Sequence, residues 1–189
     1  MCGIAGYVAT ASVDGQRMLE SIKHRGPDAF GGHSVAIQGR QVFLGHARLS
    51  IIDLSAAGHQ PMFAAEGRIA LVYNGEVYNF AELRDRHLQG VPLRSRSDTE
   101  VVLRLYEKLG LDFVHELNGD FAIAILDQRI NKLFLIRDRL GIKPVYFARL
   151  GGRIAFSSEA KAILARPDYT PSLDEAALRQ FLSLGYLPA

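Results

Sequence analysis

The sequence holds a single cysteine, Cys2, among 189 residues. One thiol excludes an internal disulfide framework and suits a reducing compartment, so a cytoplasmic protein is expected. Neither sign of charge dominates: 22 Lys and Arg stand against 20 Asp and Glu. The basic residues are scattered among acidic ones, which describes a solvated surface and predicts neither a nucleic-acid nor a membrane partner. Long apolar runs are missing too. The opening C-G-I-A-G-Y-V-A is too short for a membrane span and lacks the preceding basic region of a signal peptide. The six His residues show no H-x-x-x-H spacing, so no metal site is expected. There is no G-x-x-x-x-G-K phosphate loop, no G-x-S-x-G elbow, no internal repeat and no low-complexity segment. What remains is ordinary for a globular chain, 48% hydrophobic and 22% charged, long enough for one domain with a good core or for one domain plus a terminal extension.

Local patterns predict mostly hairpin-linked strands. Cys2–Ala9 reads as a first strand, followed by a helix capped by Asp14 and running to about His24. Strands at His33–Gln38 and Val42–Arg48 are joined through Gly39-Arg40. Arg68–Tyr73 is the next strand, and Asn79 with Glu82 has capping-box spacing for a helix to about Leu88. Pro92–Arg94 reads as a short extended piece. Ser97 or Asp98 then caps a helix whose apolar face is Val101, Val102, Leu105 and Leu109, closed by Gly110. Phe121–Leu126 with Lys132–Ile136, and Val145–Ala148 with Arg153–Phe156 across Gly151-Gly152, are hairpins. Helices at Glu159–Ala165 and Asp174–Leu184 follow. About nine strands and three or four helices make an α+β domain with antiparallel sheet.

The chemistry starts at Cys2. Removal of Met1 would leave a thiol, reference pKa about 8.5, beside its own α-amine at about 7.7–8.0, so that one residue supplies nucleophile and base. The plainer reading is a small buried cysteine that starts a strand. Asn74-Gly75 offers a carboxamide and a backbone N–H to a developing oxyanion, although N-G read alone is first of all a turn. Glu76 beside it reads equally as a loop carboxylate. Arg48, at the end of an apolar strand, can grip a carboxylate bidentately or lie on the surface. Asp98 can accept from an ammonium or cap its helix. The set favours function: a thiol, an amide donor, a bidentate cation and carboxylates, each at an element end.

In order along the chain, the segments M-C-G-I-A-G, H-R-G-P-D, H-A-R-L-S-I-I-D, Q-P-M, V-Y-N-G-E-V-Y-N, S-D-T-E, G-D-F-A-I-A-I-L-D, R-D-R-L-G-I-K-P and S-S-E-A-K-A-I resemble the class II glutamine amidotransferase domain. Within that class, R-G-P-D and R-L-S-I-I-D resemble the glutaminase half of glutamine-hydrolysing asparagine synthetase. The resemblance implies an N-terminal-nucleophile hydrolase fold, a four-layer αββα sandwich of two antiparallel sheets. It implies Cys2 as nucleophile and Asn74 with Gly75 as oxyanion hole. Arg48 would hold the glutamine α-carboxylate, and backbone groups of Leu49, Ser50, Ile51 and Ile52 would line the same pocket. Glu76 and Asp98 would hold the α-ammonium, with Arg25 and Asp28 supporting the site. L-Glutamine is the implied partner, and no cofactor is expected in this domain.

The expected organisation is a glutaminase domain over 1–170. Residues 171–189 would begin a linker and helix toward a C-terminal synthetase domain, whose S-G-G-x-D-S loop is not in this sequence and which would carry the ATP and Mg. An excised domain is favoured over a free-standing glutaminase, and a homodimer is left open. Two rivals stand beside this reading: an amidotransferase domain serving another acceptor, and a non-catalytic glutamine-binding module.

Overall fold

The computed structural model describes residues 1–11 and 14–187. The last residues of the expected linker, Pro188 and Ala189, lie outside them. Among the described residues nine strands form two antiparallel sheets, of five and four strands. The first sheet is ordered β2 (Ala29–Ile37), β3 (Arg40–Arg48), β1 (Gly3–Ala9), β9 (Arg153–Ser157), β8 (Tyr146–Leu150). The second runs β4 (Met62–Ala64), β5 (Ile69–Val77), β6 (Gly119–Asp127), β7 (Lys132–Arg137).

Strand alternation sorts the core into three layers. Between the sheets lie Ile4, Leu44, Ala70, Val72, Ala122, Ala124 and Phe156. On the outer face of the four-stranded sheet, Ile69, Leu71, Tyr73 and Ile125 meet helix α3 (Asp98–Leu109) through Val101, Val102 and Leu105. On the outer face of the five-stranded sheet, Tyr7 and Phe43 meet α1 (Gly15–Ser21) and α5 (Ala160–Leu164). The result is the four-layer αββα sandwich. Gly6 makes the inter-sheet packing possible at one point: a Cβ there would run into the Phe156 ring and the Phe43 carbonyl.

Several local expectations are borne out. Asp14 caps α1, whose α-helical part stops at Ser21, and a 3₁₀ turn at Lys23–Arg25 carries the chain on. Ser97 caps α3 and Gly110 closes it at φ 61°. Gly151 and Gly152 turn β8 into β9 with φ of 54° and 79°.

Others are corrected. The β2–β3 turn falls on Gln38 and Gly39, the two residues with positive φ, one position earlier than predicted. Asn79 and Glu82 form no capping box before α2 (Phe80–His87). The Asn79 amide instead donates to the Glu116 carbonyl and accepts from Asn118 N–H, and Glu82 pairs with Arg86. Pro92–Arg94 joins no sheet, and the short edge strand is β4, in a stretch without a clear periodic signal. Asn74-Gly75 is no turn either. Strand β5 runs straight through both, pairing Asn74 with Ala122 and Gly75 with Phe121. Glycine is required at 75 because a Cβ would strike the Asp120 carbonyl of the adjoining strand.

After α4 (Phe113–Glu116) and the second hairpin pair, the chain closes with α6 (Glu175–Leu184), capped by Asp174. No residue of α6 is buried, and Phe181 and Leu182 stay 49% and 74% exposed. No helix is long and apolar enough to cross a membrane among the described residues.

Candidate active site

The ends of β1, β3 and β5 and the start of α3 converge on one cleft. It brings together Cys2, Arg48, the run from Leu49 to Ile52, Gly75, Glu76 and Asp98. Of the residues expected from sequence to contact substrate, Asn74 alone does not line it. Alternation with Ala70 and Val72 places Asn74 on the inter-sheet face, where it is 1% exposed and its amide nitrogen has no hydrogen-bond partner. A buried donor left unsatisfied is rare in a folded protein.

Cys2 is partly buried at the entry to β1. Its sulfur sits 3.4 Å from both the amide nitrogen and the carbonyl oxygen of Leu49. Burial pushes the thiol above its ordinary pKa. The Leu49 N–H, the chain's amino terminus and the Arg48 charge oppose that push without cancelling it. The thiol therefore rests protonated at neutral pH and needs a base to react. The Cys2 backbone is fixed from outside the cleft: Arg25 donates Nε to the Cys2 carbonyl at 2.9 Å and Nη1 to Glu159 at 3.0 Å. Burial tends to raise the Glu159 pKa, but Arg25, Lys161 and His24 together bring it down to about 2. Asp28 accepts from Ser50 N–H at 2.7 Å, which shapes the loop after Arg48. Arg25 and Asp28 of the R-G-P-D turn thus brace the backbone on either side of the cleft.

Arg48 is buried rather than on the surface, at 6% exposure. Its guanidinium donates to the carbonyls of Ser55, at 2.9 Å, and Asp53. Two of the five guanidinium N–H groups are thereby used. Asp53 is itself drawn down to about 2 by hydrogen bonds from Ser55 and Arg96 N–H.

Asp98 does not cap its helix; Ser97 does. Its carboxylate instead accepts from Tyr73 Oη at 2.7 Å and Val77 N–H at 3.0 Å on one oxygen, and from Thr99 N–H at 2.9 Å on the other. It is 4% exposed and has no cation partner among the described residues. Burial raises its pKa despite those donors, and Glu76, which is exposed, adds to the rise. A buried carboxylate furnished with neutral donors and facing a cleft is able to receive a cation.

Further residues complete this wall. Gln60 accepts from Tyr73 N–H at 2.6 Å and its amide nitrogen lies 3.4 Å from Thr99 Oγ1, joining β5 to α3. Its signal was the Q-P-M segment, but nothing local says that a loop glutamine will reach two distant elements. His46 on β3 donates Nε2–H to the Tyr73 carbonyl at 3.1 Å and so ties one sheet to the other. It is fully buried and its pKa falls to about 3. Burial drives that fall, helped by the charges of Arg48 and His59, against the bond to Tyr73. No cluster of metal-ligating side chains occurs among the described residues.

Comparison with known proteins shows the family. The family described as glutamine amidotransferase domain matches residues 1–189. Asparagine synthetase [glutamine-hydrolyzing] 3 of Bacillus subtilis is 38% identical over 197 residues, covering 98% of this chain and 31% of that protein. Asparagine synthetase [glutamine-hydrolyzing] 1 of Arabidopsis thaliana is 40% identical over 171 residues, covering 86% of this chain and 28% of that one. The chain thus spans about a third of these relatives' length. Among solved structures, the glutamine phosphoribosylpyrophosphate amidotransferase of B. subtilis superposes with a TM-score of 0.71 over 87% of this chain and 43% of its own, at 22% identity. At that identity the likeness speaks for the fold alone.

Proposed function

Given that this chain belongs to the glutamine amidotransferase domain family, we propose that it hydrolyses L-glutamine to glutamate and ammonia through a thioester on Cys2. One observation carries the reading: a thiol and a buried carboxylate without a cation face the same cleft. Glutamine offers what each side lacks. Its α-ammonium would sit on Asp98, with Glu76 nearby, and its α-carboxylate on the remaining N–H groups of Arg48. Backbone groups of the Leu49–Ile52 run would enclose it, and the side-chain amide would reach Cys2.

The chemistry then follows. Once Met1 is removed, the α-amine of Cys2 takes the thiol proton, directly or through water. Met1 is 59% exposed, which leaves it open to an aminopeptidase. The thiolate adds to the amide carbonyl carbon, and the oxyanion is met by the Gly75 N–H and the unpartnered amide of Asn74. The amine returns its proton to the departing nitrogen, ammonia leaves, and a γ-glutamyl thioester remains. Water, deprotonated by the same amine, attacks the thioester carbonyl, and glutamate leaves as the thiol is restored.

The relatives are about three times longer, and a further C-terminal domain is part of this reading. The stretch from 171 onward would lead to it, and the exposed apolar residues of α6 would pack on it. There the ammonia would aminate an activated acceptor, with aspartate giving asparagine as the favoured case. ATP and Mg would be needed only there.

The test is glutamine hydrolysis by the purified chain, with equal yields of ammonia and glutamate. Intact mass should show Met1 lost and one adduct from a glutamine-like electrophile. A chain that keeps Met1, takes no label and releases no ammonia would leave only a binding module.

A further inference from the structure

A second depression shares no residue with the cleft. Three arginines, Arg68, Arg94 and Arg104, surround it beside the turn Ala65–Gly67. Their charges are incompletely matched. Arg104 is matched, donating Nη1 to Glu107 at 2.8 Å with its Nε 4.0 Å from Glu100, and the excess lies with the other two. Glu107 uses its other oxygen to accept from Ala65 N–H at 2.9 Å. Arg68 donates Nε to the Ala65 carbonyl at 3.3 Å. Neither Arg68 nor Arg94 has a carboxylate partner among the described residues. The one remaining acid is the exposed Glu66.

The turn is strained as well. Ala65 and Glu66 both take left-handed backbone, φ 50° and 58°, ahead of Gly67 at 87°. Such conformations in non-glycine residues persist where the surroundings enforce them and gather at ligand sites. Here Glu107 and Arg68 hold Ala65 from its two sides.

The depression is wired to the cleft by one carboxylate. Glu100 accepts from Arg94 N–H at 3.0 Å and from Ser95 N–H and Oγ at 2.6 and 2.8 Å, and lies 4.0 Å from Arg104 Nε. Ser95 Oγ in turn meets Ser97 Oγ at 2.8 Å, and Ser97 caps the helix that begins at Asp98.

We propose that this depression is a regulatory site for a small dianionic oxyanion, a phosphate or a dicarboxylate. The forks of Arg68 and Arg94 hold the anion. Its occupancy alters glutamine affinity through Glu100 and the loop leading to Asp98. The regulatory half rests on the glutamine-binding reading above.

Calorimetric titration of the purified chain with inorganic phosphate, and separately with succinate, tests the site against chloride at matched ionic strength. Saturable binding of at least one is expected, weakened about tenfold or more in the Arg68→Gln/Arg94→Gln double variant. Both side chains are exposed, so the variant should keep its fold. Saturation by phosphate alone would mark a phosphoryl ligand, and by succinate alone a dicarboxylate. The Kd for glutamine, measured with Cys2→Ala protein so that nothing turns over, should move about fivefold when the anion is saturating, and not in the double variant. No binding beyond chloride, binding indifferent to the two arginines, or an unmoved glutamine Kd would each overturn the proposal. If glutamine itself fails to bind, the glutaminase reading falls while the anion titration still decides the site.

Discussion

The two walls of the cleft are built in opposite ways. On the β5–α3 wall, Asp98 meets three donors and Gln60 locks the elements that supply them. On the other side, the Cys2 sulfur lies 3.4 Å from both the amide nitrogen and the carbonyl oxygen of Leu49, and its pKa is raised. One wall is finished before any ligand arrives; the other is left chemically incomplete. That is the arrangement expected where binding groups are preorganised and reacting groups are satisfied only as charge develops.

Substitutions can break or sharpen this contrast. The largest effect is expected for Cys2→Ala, which should reduce glutamine hydrolysis to background while calorimetry still detects glutamine binding. If binding is lost as well, the walls are not separable. Asn74→Ala should lower kcat about 10²–10³-fold with little change in KM, the pattern of a donor used only in the transition state. Steady-state kinetics over a range of glutamine concentrations would show it, and a change confined to KM would take Asn74 out of the oxyanion role. Asp98→Asn should do the reverse, raising KM about 10- to 100-fold by removing the charge on a charge-assisted bond.

The smallest expected effect is from Tyr73→Phe, read in the pH dependence of glutamine affinity. The Asp98 carboxylate must be ionised to hold an ammonium, and its pKa is already raised by burial. Affinity therefore falls as pH drops through that raised value, starting at higher pH than for an ordinary Asp. Removing the Tyr73 donor destabilises the ionised form further and should move the fall to still higher pH. A profile unchanged in the variant would show that the Tyr73 bond does not tune Asp98.

Much of the fold was legible because strand alternation and turn glycines act locally. The hairpins at 121–136 and 145–156 and the helix after Ser97 are read from neighbours a few residues apart. The errors arose where distant partners decide. Asn74-Gly75 has turn chemistry, yet pairing with β6 keeps it extended, and only contact with Asp120 explains the glycine. Asn79 has capping chemistry, but residues 116 and 118 occupy its side chain. The same holds at the cleft. Cys2 is conspicuous as the single thiol at the second position. Gln60, Tyr73 and His46 matter only through bonds that span 13 to 39 positions of chain. No periodicity announces such bonds.

The His46 bond between the sheets carries a consequence for tolerance to acid. An imidazole that titrates at about 3 when folded and at about 6.5 when unfolded gives the unfolded chain the greater affinity for protons throughout that interval. Its contribution to stability is whole above the upper value and drains away as pH falls toward the lower one. The join between the two halves of the sandwich should therefore start to loosen in mildly acidic solution, well before the surface carboxylates lose their charge.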